Sequence, residues 1–165
     1  MEVRVLEPTD AKDYQLLRLE ALQTNPEAFV ASYEEEKDYP LEHYENRFCS
    51  EYSVFFGAFD NGQLVGVVSL VKETKQKLKH RANIFAMYIT PSARGLGIGR
   101  KLMIAAIENA LNSEGIEQVY LSVVTTNKAG RNLYLNLGFE IYGRDYRAIK
   151  IGNRYFDEDH MVLFL

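Results

Sequence analysis

Hydrophobic and polar positions alternate with two different periods along this chain, and the changes between them predict its elements. Val3, Val5 and Leu6 read as a short first strand ended by Pro8. Tyr14, Leu17, Ala21 and Leu22 then share one helical face, with Thr9 or Asp10 as cap and Asn25-Pro26 as stop. The segment FVASYEEEKDYP has no clear period and sets aromatics among four acids. A second helix is expected from about Pro40, with Leu41, Tyr44 and Phe48 on one side. From Ser53 the pattern becomes strand-like: SVFFGAF and QLVGVVSLV flank Asp60-Asn61-Gly62, a strong hairpin signal. The charged stretch KETKQKLKHR, read as a solvated loop, leads to the apolar run Ile84–Ile89, which Pro91 ends because proline has no N–H for the ladder.

Leu102, Met103, Ala106, Ile107, Ala110 and Leu111 recur at helical spacing, and Gly115 stops that helix. Val119, Leu121 and Val123 alternate with Tyr120, Ser122 and Val124, both sets fairly apolar, as in a strand buried on two faces. Asn127 opens a helix in which Gly130, Leu133, Tyr134 and Leu137 align, and Gly138 closes it. Strands over Glu140–Ile151 and Arg154–Leu165 follow, joined by Gly152-Asn153. The order predicts an α/β (α+β mixed) fold: a central, mostly antiparallel mixed sheet of about seven strands flanked by about four helices. Residues 1–165 are expected to form one domain.

Composition narrows the function. A net charge of −4 gives no global basic field, so nucleic acid is not an expected partner. The lone cysteine, Cys49, excludes an internal disulfide framework and reads as a half-buried small hydrophobe. The three histidines have no metal-ligand spacing, and no metal is expected. The N-terminus, MEVRVLEPTD, lacks a signal-peptide core, and no apolar run approaches the ~20 residues of a membrane span. A cytoplasmic location without membrane association is the expectation.

The most informative stretch is IFAMYITPSARGLGIGRKLMIA, Ile84 to Ala105. It reads as strand, glycine-rich turn and helix N-terminus, a combination that converges backbone N–H groups and a helix dipole on an anion. Gly95, Gly97 and Gly99 do not make the dinucleotide fingerprint GxGxxG, and no Gly-Lys-Ser/Thr follows for a P-loop. The stretch resembles the acyl-CoA loop of the GCN5-related N-acetyltransferase (GNAT) superfamily, Arg/Gln-x-x-Gly-x-Gly/Ala, met by Arg94, Gly97 and Gly99 after Ile89-Thr90-Pro91. A second motif of that family, Asn-x-x-Ala-x-x-Leu-Tyr-x-x-Leu-Gly-Phe, is matched by Asn127, Leu133, Tyr134, Leu137, Gly138 and Phe139, with Gly130 in place of alanine. The element order agrees along nearly the whole chain.

The resemblance implies the acyl-CoA N-acyltransferase fold and acetyl-CoA as co-substrate. It implies that a pantetheine arm pairs with the backbone near Met87, Tyr88 and Ile89, beside a bulge that opens a V-shaped cleft. A backbone N–H of Met87 or Tyr88 then meets the thioester oxygen. The pyrophosphate is expected on the amides of Arg94, Gly95, Leu96, Gly97, Ile98 and Gly99, with Arg94 and Arg100 adding charge. Tyr134 is the expected acid for the departing thiolate, against a purely core role. Asn127 is expected to bond the pantetheine arm, cap its helix, or both. Arg131 either reaches the phosphate end or is an exposed helix arginine.

The general base stays open, because the central strand offers Asn83, Ala86 and Tyr88 but no carboxylate. Glu34 and Glu35, with Glu36, are candidates from the segment that walls the acceptor site in relatives; Asp157, Glu158, Asp159 and His160 are others. Acids on both sides of the cleft, with Tyr33 and Tyr155 as aromatic walls, would favour a small cationic amine. The expected reaction is acetyl transfer to a primary amine by direct attack in a ternary complex, since no cysteine lies in either motif. The alternatives are acetylation of a protein N-terminus or lysine, and a non-catalytic acyl-CoA-binding sensor. Homodimers through the late strands are common among relatives.

Overall fold

The computed structural model describes residues 1–165. Its strands are β1 (Glu2–Val5), β2 (Ser53–Asp60), β3 (Gln63–Lys72), β4 (Arg81–Ile89), β5 (Gln118–Val124), β6 (Glu140–Ile151) and β7 (Arg154–Phe164). They form one sheet in the order β1-β2-β3-β4-β5-β7-β6, parallel only between β4 and β5. The helices are α1 (Ala11–Thr24), α2 (Tyr33–Glu36), α3 (Leu41–Phe48), α4 (Ile98–Leu111) and α5 (Lys128–Asn136). Both expected hairpins are present. The first turns through Asn61 and Gly62, whose φ values of 48° and 82° match the twist of the flanking strands.

The helix count exceeds the expected four by α2, a single turn inside the acidic segment. Ser32 Oγ accepts from the Glu35 N–H, and the Glu35 carboxylate accepts from the Ser32 N–H at 2.7 Å. This reciprocal cap holds one turn that is too short to show a period.

Helices cover both faces of the sheet. On one face Leu102, Met103, Ala106 and Ala110 of α4 pack on Val68, Leu70, Ala82 and Val119. On the other, Tyr14, Leu17 and Ala21 of α1 and Tyr44 of α3 pack on Phe55, Phe59 and Val67. Each fully buried aliphatic or aromatic side chain contributes roughly 1.5–3 kcal/mol. The two layers leave β4 and β5 partly uncovered on the α1–α3 side. Phe85 and Ser122 are therefore exposed there, and β5 is buried on one face rather than on both.

The site is made by two irregularities of β4. Its register with β3 passes from Val67↔Tyr88 to Ser69↔Phe85, so β4 carries one extra residue. Ala86 takes up that bulge in the left-handed region, at φ 53°. The wholly buried Ser69 Oγ donates to the Phe85 carbonyl at 3.1 Å and holds the bulge open. Pairing between β4 and β5 ends after Asn83↔Tyr120, so the backbone from Ile84 onward has no strand partner on its β5 side. The V-shaped cleft lies there.

Candidate active site

The loop after β4 is built to present amides. Gly95 and Gly97 have φ of 77° and 75°, a region L-residues enter at a cost of roughly 1–2 kcal/mol each. Gly97 caps α4, whose first intrahelical bond runs from the Lys101 N–H to the Gly97 carbonyl. The N–H groups of Ile98, Gly99 and Arg100 thus remain available at the positive end of the helix dipole. Gly99 serves closeness instead: an added Cβ would lie 3.2 Å from atoms of Ile89, Leu133 and Met87.

Arg94 lines the loop cavity and is anchored there by contacts of its own. Its guanidinium donates to the Ile89 carbonyl at 2.9 Å and to Asn25 Oδ1 at 2.8 Å, and lies over the Tyr88 ring. It clasps the loop to β4 and to the end of α1. Glu20 reinforces the clasp from α1, accepting from the Tyr88 hydroxyl at 2.8 Å and from Thr90 Oγ1 at 2.7 Å. Arg100 is exposed and lines the loop cavity.

Two cavities meet in the cleft. One, of about 740 Å³, is lined by the glycine loop, Met87, Tyr88, Ile89 and the start of α5. The other, of about 770 Å³, opens between β4, β5 and the α1–α3 side. Ala28, Phe29, Met87, Asn127 and Tyr134 line both. Tyr134 is buried, and burial alone pushes its hydroxyl up to about 12. Its ring meets Phe139 edge-on, so the core role and the site role coexist. Asn127 caps α5, its Oδ1 accepting from the Gly130 N–H at 2.9 Å. Gly130 makes this fit: a Cβ there would lie 2.7 Å from Asn127 Nδ2.

Arg131 is not brought to the loop. Its Nε donates to Asp159 Oδ2 at 2.9 Å, while Arg144 donates to the other oxygen at 2.7 Å. Asp159 is wholly buried, and these bonds, Arg144's foremost, hold its carboxyl below the usual range. The three residues fasten α5 to β6 and β7. A lone helix arginine gives no sign of that partner, because the partner is 28 residues away.

The candidate bases separate. Glu34 points to solvent and pairs with Lys37. Glu35 lines the second cavity, but both Ser32 donors bind one of its oxygens and lower its pKa. Glu36 turns inward to a bidentate pair with Arg18, at 2.8 and 2.9 Å. Asp157 accepts from the Arg147 N–H within the late hairpin. His160 Nδ1 lies 2.8 Å from Ser122 Oγ. Glu158, beside Val124 in the β5–β7 register, lines the second cavity with Tyr134. Its carboxyl is raised, by burial first, with His160 opposing and Asp145 adding.

The wall read as acidic therefore holds two arginines, Arg18 neutralised by Glu36 and Arg47 without an ion pair. Tyr33 and Tyr155 do not line this cavity; Tyr39 and Phe29 do. Arg18 had a signal in the sequence, as a charge four residues after Tyr14 on the apolar stripe of α1. Ser69 had one too, as the polar residue in a buried run. Glu20 and Arg47 had none. Cys49 is exposed and lines neither cavity.

Comparison with known proteins agrees with this geometry. The model of the acetyltransferase (GNAT) family matches residues 15–139. N-alpha-acetyltransferase 30 of Dictyostelium discoideum is 34% identical over 97 residues, which are 59% of this chain and 51% of the relative. The chain thus spans about half of that relative's length. A GNAT-family acetyltransferase structure from Streptococcus pneumoniae superimposes with a TM-score of 0.89 at 25% identity, over 99% of both chains. A putative acetyltransferase from Salmonella typhimurium, solved with its cofactor acetyl-CoA, shares the fold with a TM-score of 0.82 at 20% identity, over 99% of this chain and 93% of that one. With the family model covering β4, the glycine loop and α5 together, this chain belongs to the GNAT family of acetyltransferases.

Proposed function

We propose that this protein transfers the acetyl group of acetyl-CoA to the primary amine of a small acceptor, by direct attack with both substrates bound. The observation that carries the reading is that Tyr134 and Met87 form the boundary between two adjoining cavities, each of ligand size. Acetyl-CoA fits the loop side, where left-handed glycines, free helix amides and the unpaired backbone of β4 offer donors to a phosphate and an amide arm. It supplies a thioester whose acyl carbon is open to an amine.

The chain's residues would do the rest. The amides from Gly95 to Arg100 hold the anionic end, and a backbone N–H of Met87 or Tyr88 meets the acyl oxygen. Tyr134, raised to about 12, keeps its proton at neutral pH and donates to the sulfur as the C–S bond breaks. A thiol titrates near 8.5, so the phenol stabilises the leaving group by hydrogen bonding more than by complete transfer. Glu158 is the base we assign: its burial-raised carboxyl lines the acceptor cavity with Tyr134 and can take the ammonium proton. Direct attack is supported by Cys49 lying outside both cavities. The wall carries Glu35 and Glu158 against the unpaired Arg47, with Arg18 neutralised by Glu36, so charge of both signs faces the acceptor.

Free-thiol release from acetyl-CoA across a panel of amines, amino acids and short peptides tests this reading. Release with one small-amine class is expected. Calorimetric binding of CoA with no release from any acceptor would overturn transfer in favour of a sensor. A second reading, acetylation of a peptide N-terminus, rests on a smaller cavity of about 190 Å³ that adjoins the acceptor cavity at Phe85, Leu121 and Ser122 and prolongs it as a groove. It also draws on the name of the Dictyostelium relative. Release with peptides alone would select it.

A further inference from the structure

The acceptor cavity has charge of opposite sign on its two sides. Arg47 reaches it from α3, on the layer over β2 and β3, whereas Glu158 reaches it from β7, beyond β5. Arg47 has no ion-pair partner; its guanidinium lies 5.3 Å from the centre of the Phe55 ring. Beside it are Arg18, already bonded to Glu36, and the hydroxyls of Tyr14 and Tyr44. Both hydroxyls are buried and make no hydrogen bond. With Arg18 neutralised by Glu36, Arg47 is the cavity guanidinium without a counter-charge, and Glu158 stands on the opposite side. The other acid of the lining, Glu35, is exposed, with its carboxylate bound to Ser32. A half-buried guanidinium without a counter-charge is costly, and an entering anion removes that cost.

We propose that the acceptor is an amine that also carries a carboxylate, bound with the carboxylate at Arg47 and the amine between Glu158 and Tyr134. This rests on the acetyltransferase reading above and names the substrate class of that site. Arg47 is then the residue that sets specificity, and free amino acids are the simplest members of the class.

The test compares matched pairs: amino acids against the amines left when their carboxylate is removed, with α- and ω-amino acids both present. Peptides starting with Asp or Asn form a further arm. Wild type should favour the carboxylate member of at least one pair by about 10- to 100-fold in kcat/KM, the range of a charged hydrogen bond. In Arg47→Gln that ratio should fall towards one, and Arg47→Lys should retain part of it. Preference for Asp-peptides over both Asn-peptides and free amino acids would assign the carboxylate to a side chain and overturn the free amino acid as the substrate.

Equal or better use of the carboxylate-free member in every pair, or an unchanged ratio in Arg47→Gln, would overturn the proposal. If no amine releases thiol, the acetyl-transfer reading fails by itself, and calorimetry of the same amino acids against CoA-loaded protein decides this one. Binding that is at least 10-fold weaker in Arg47→Gln upholds it, and equal binding or none refutes it. Unfolding midpoints identify a misfolded variant, in which case Arg47→Lys carries the comparison.

Discussion

Replacing Tyr134 by Phe separates a chemical role from a packing role, because the two predict opposite signs. The ring contributes to the core and meets Phe139 with centroids 6.1 Å apart, and Phe keeps that contact. The residue is buried, but its hydroxyl opens onto the cleft and makes no protein hydrogen bond, and burial is the cause of its raised pKa. Removing a hydroxyl that faces the cleft and that no protein group bonds takes no intramolecular interaction away. Thermal stability should therefore hold or rise, by up to about 1 kcal/mol or roughly 2–4 °C in a chain of this size. If the hydroxyl donates to the departing sulfur, kcat should fall by about 10²- to 10⁴-fold, equivalent to about 2.7–5.4 kcal/mol of barrier. Thiol-release kinetics, CoA calorimetry and a melting curve on the same preparation test all three quantities. A kcat within threefold of wild type would refute the acid role. A loss of several degrees in Tm would refute the account of its burial.

Other perturbations test the remaining parts of the site. Glu158→Gln should lower kcat/KM by about 10²-fold or more. It should also remove an acidic limb from the pH profile: a base works deprotonated, so wild-type activity should fall as pH drops through the raised pKa of Glu158. A variant with the wild-type limb intact would clear Glu158 of that role. Gly97→Ala forces an L-residue to φ 75°, so CoA should bind more weakly and folding lose about 1–2 kcal/mol, read by calorimetry and urea unfolding. Ser69→Ala removes the bond to the Phe85 carbonyl and should cost about 1–3 kcal/mol in urea unfolding, with weaker CoA binding as the bulge relaxes. Unchanged CoA affinity would mean that the bulge stands without Ser69.

What the sequence made legible is what is decided within a few residues. Asn61-Gly62 and the loop from Arg94 to Gly99 dictate their own backbone angles, so the first hairpin and the anion loop could be located before any coordinates. The Ser32-x-x-Glu35 box was equally local, yet it was overlooked because α2 has only one turn. Other features depend on long-range partners. Whether Glu34, Glu35 or Glu36 turns inward is settled by Arg18, 18 residues away from Glu36 and on another helix. The sequence leaves Arg131 between the loop and an exposed helix position, because its partner Asp159 belongs to a strand that joins α5 only in three dimensions. Acids line the acceptor cavity from two sides as Glu35 and Glu158, but Arg18 and Arg47 join them from α1 and α3, a neighbourhood set only by the tertiary fold.

The unpaired stretch of β4 is an edge strand in the middle of a sheet. Edges at the rim of a sheet invite pairing with other polypeptides, and proteins blunt them with charge, twist or brevity. Here the edge is recessed between β5, α5 and the turn at Ala28 and Phe29. It faces the two cavities of the cleft, so a chain that would pair with it must first enter between β4 and β5. The same splay that leaves this backbone unpaired thus also shelters it, because the edge lies inside a cleft and not at the rim of the sheet.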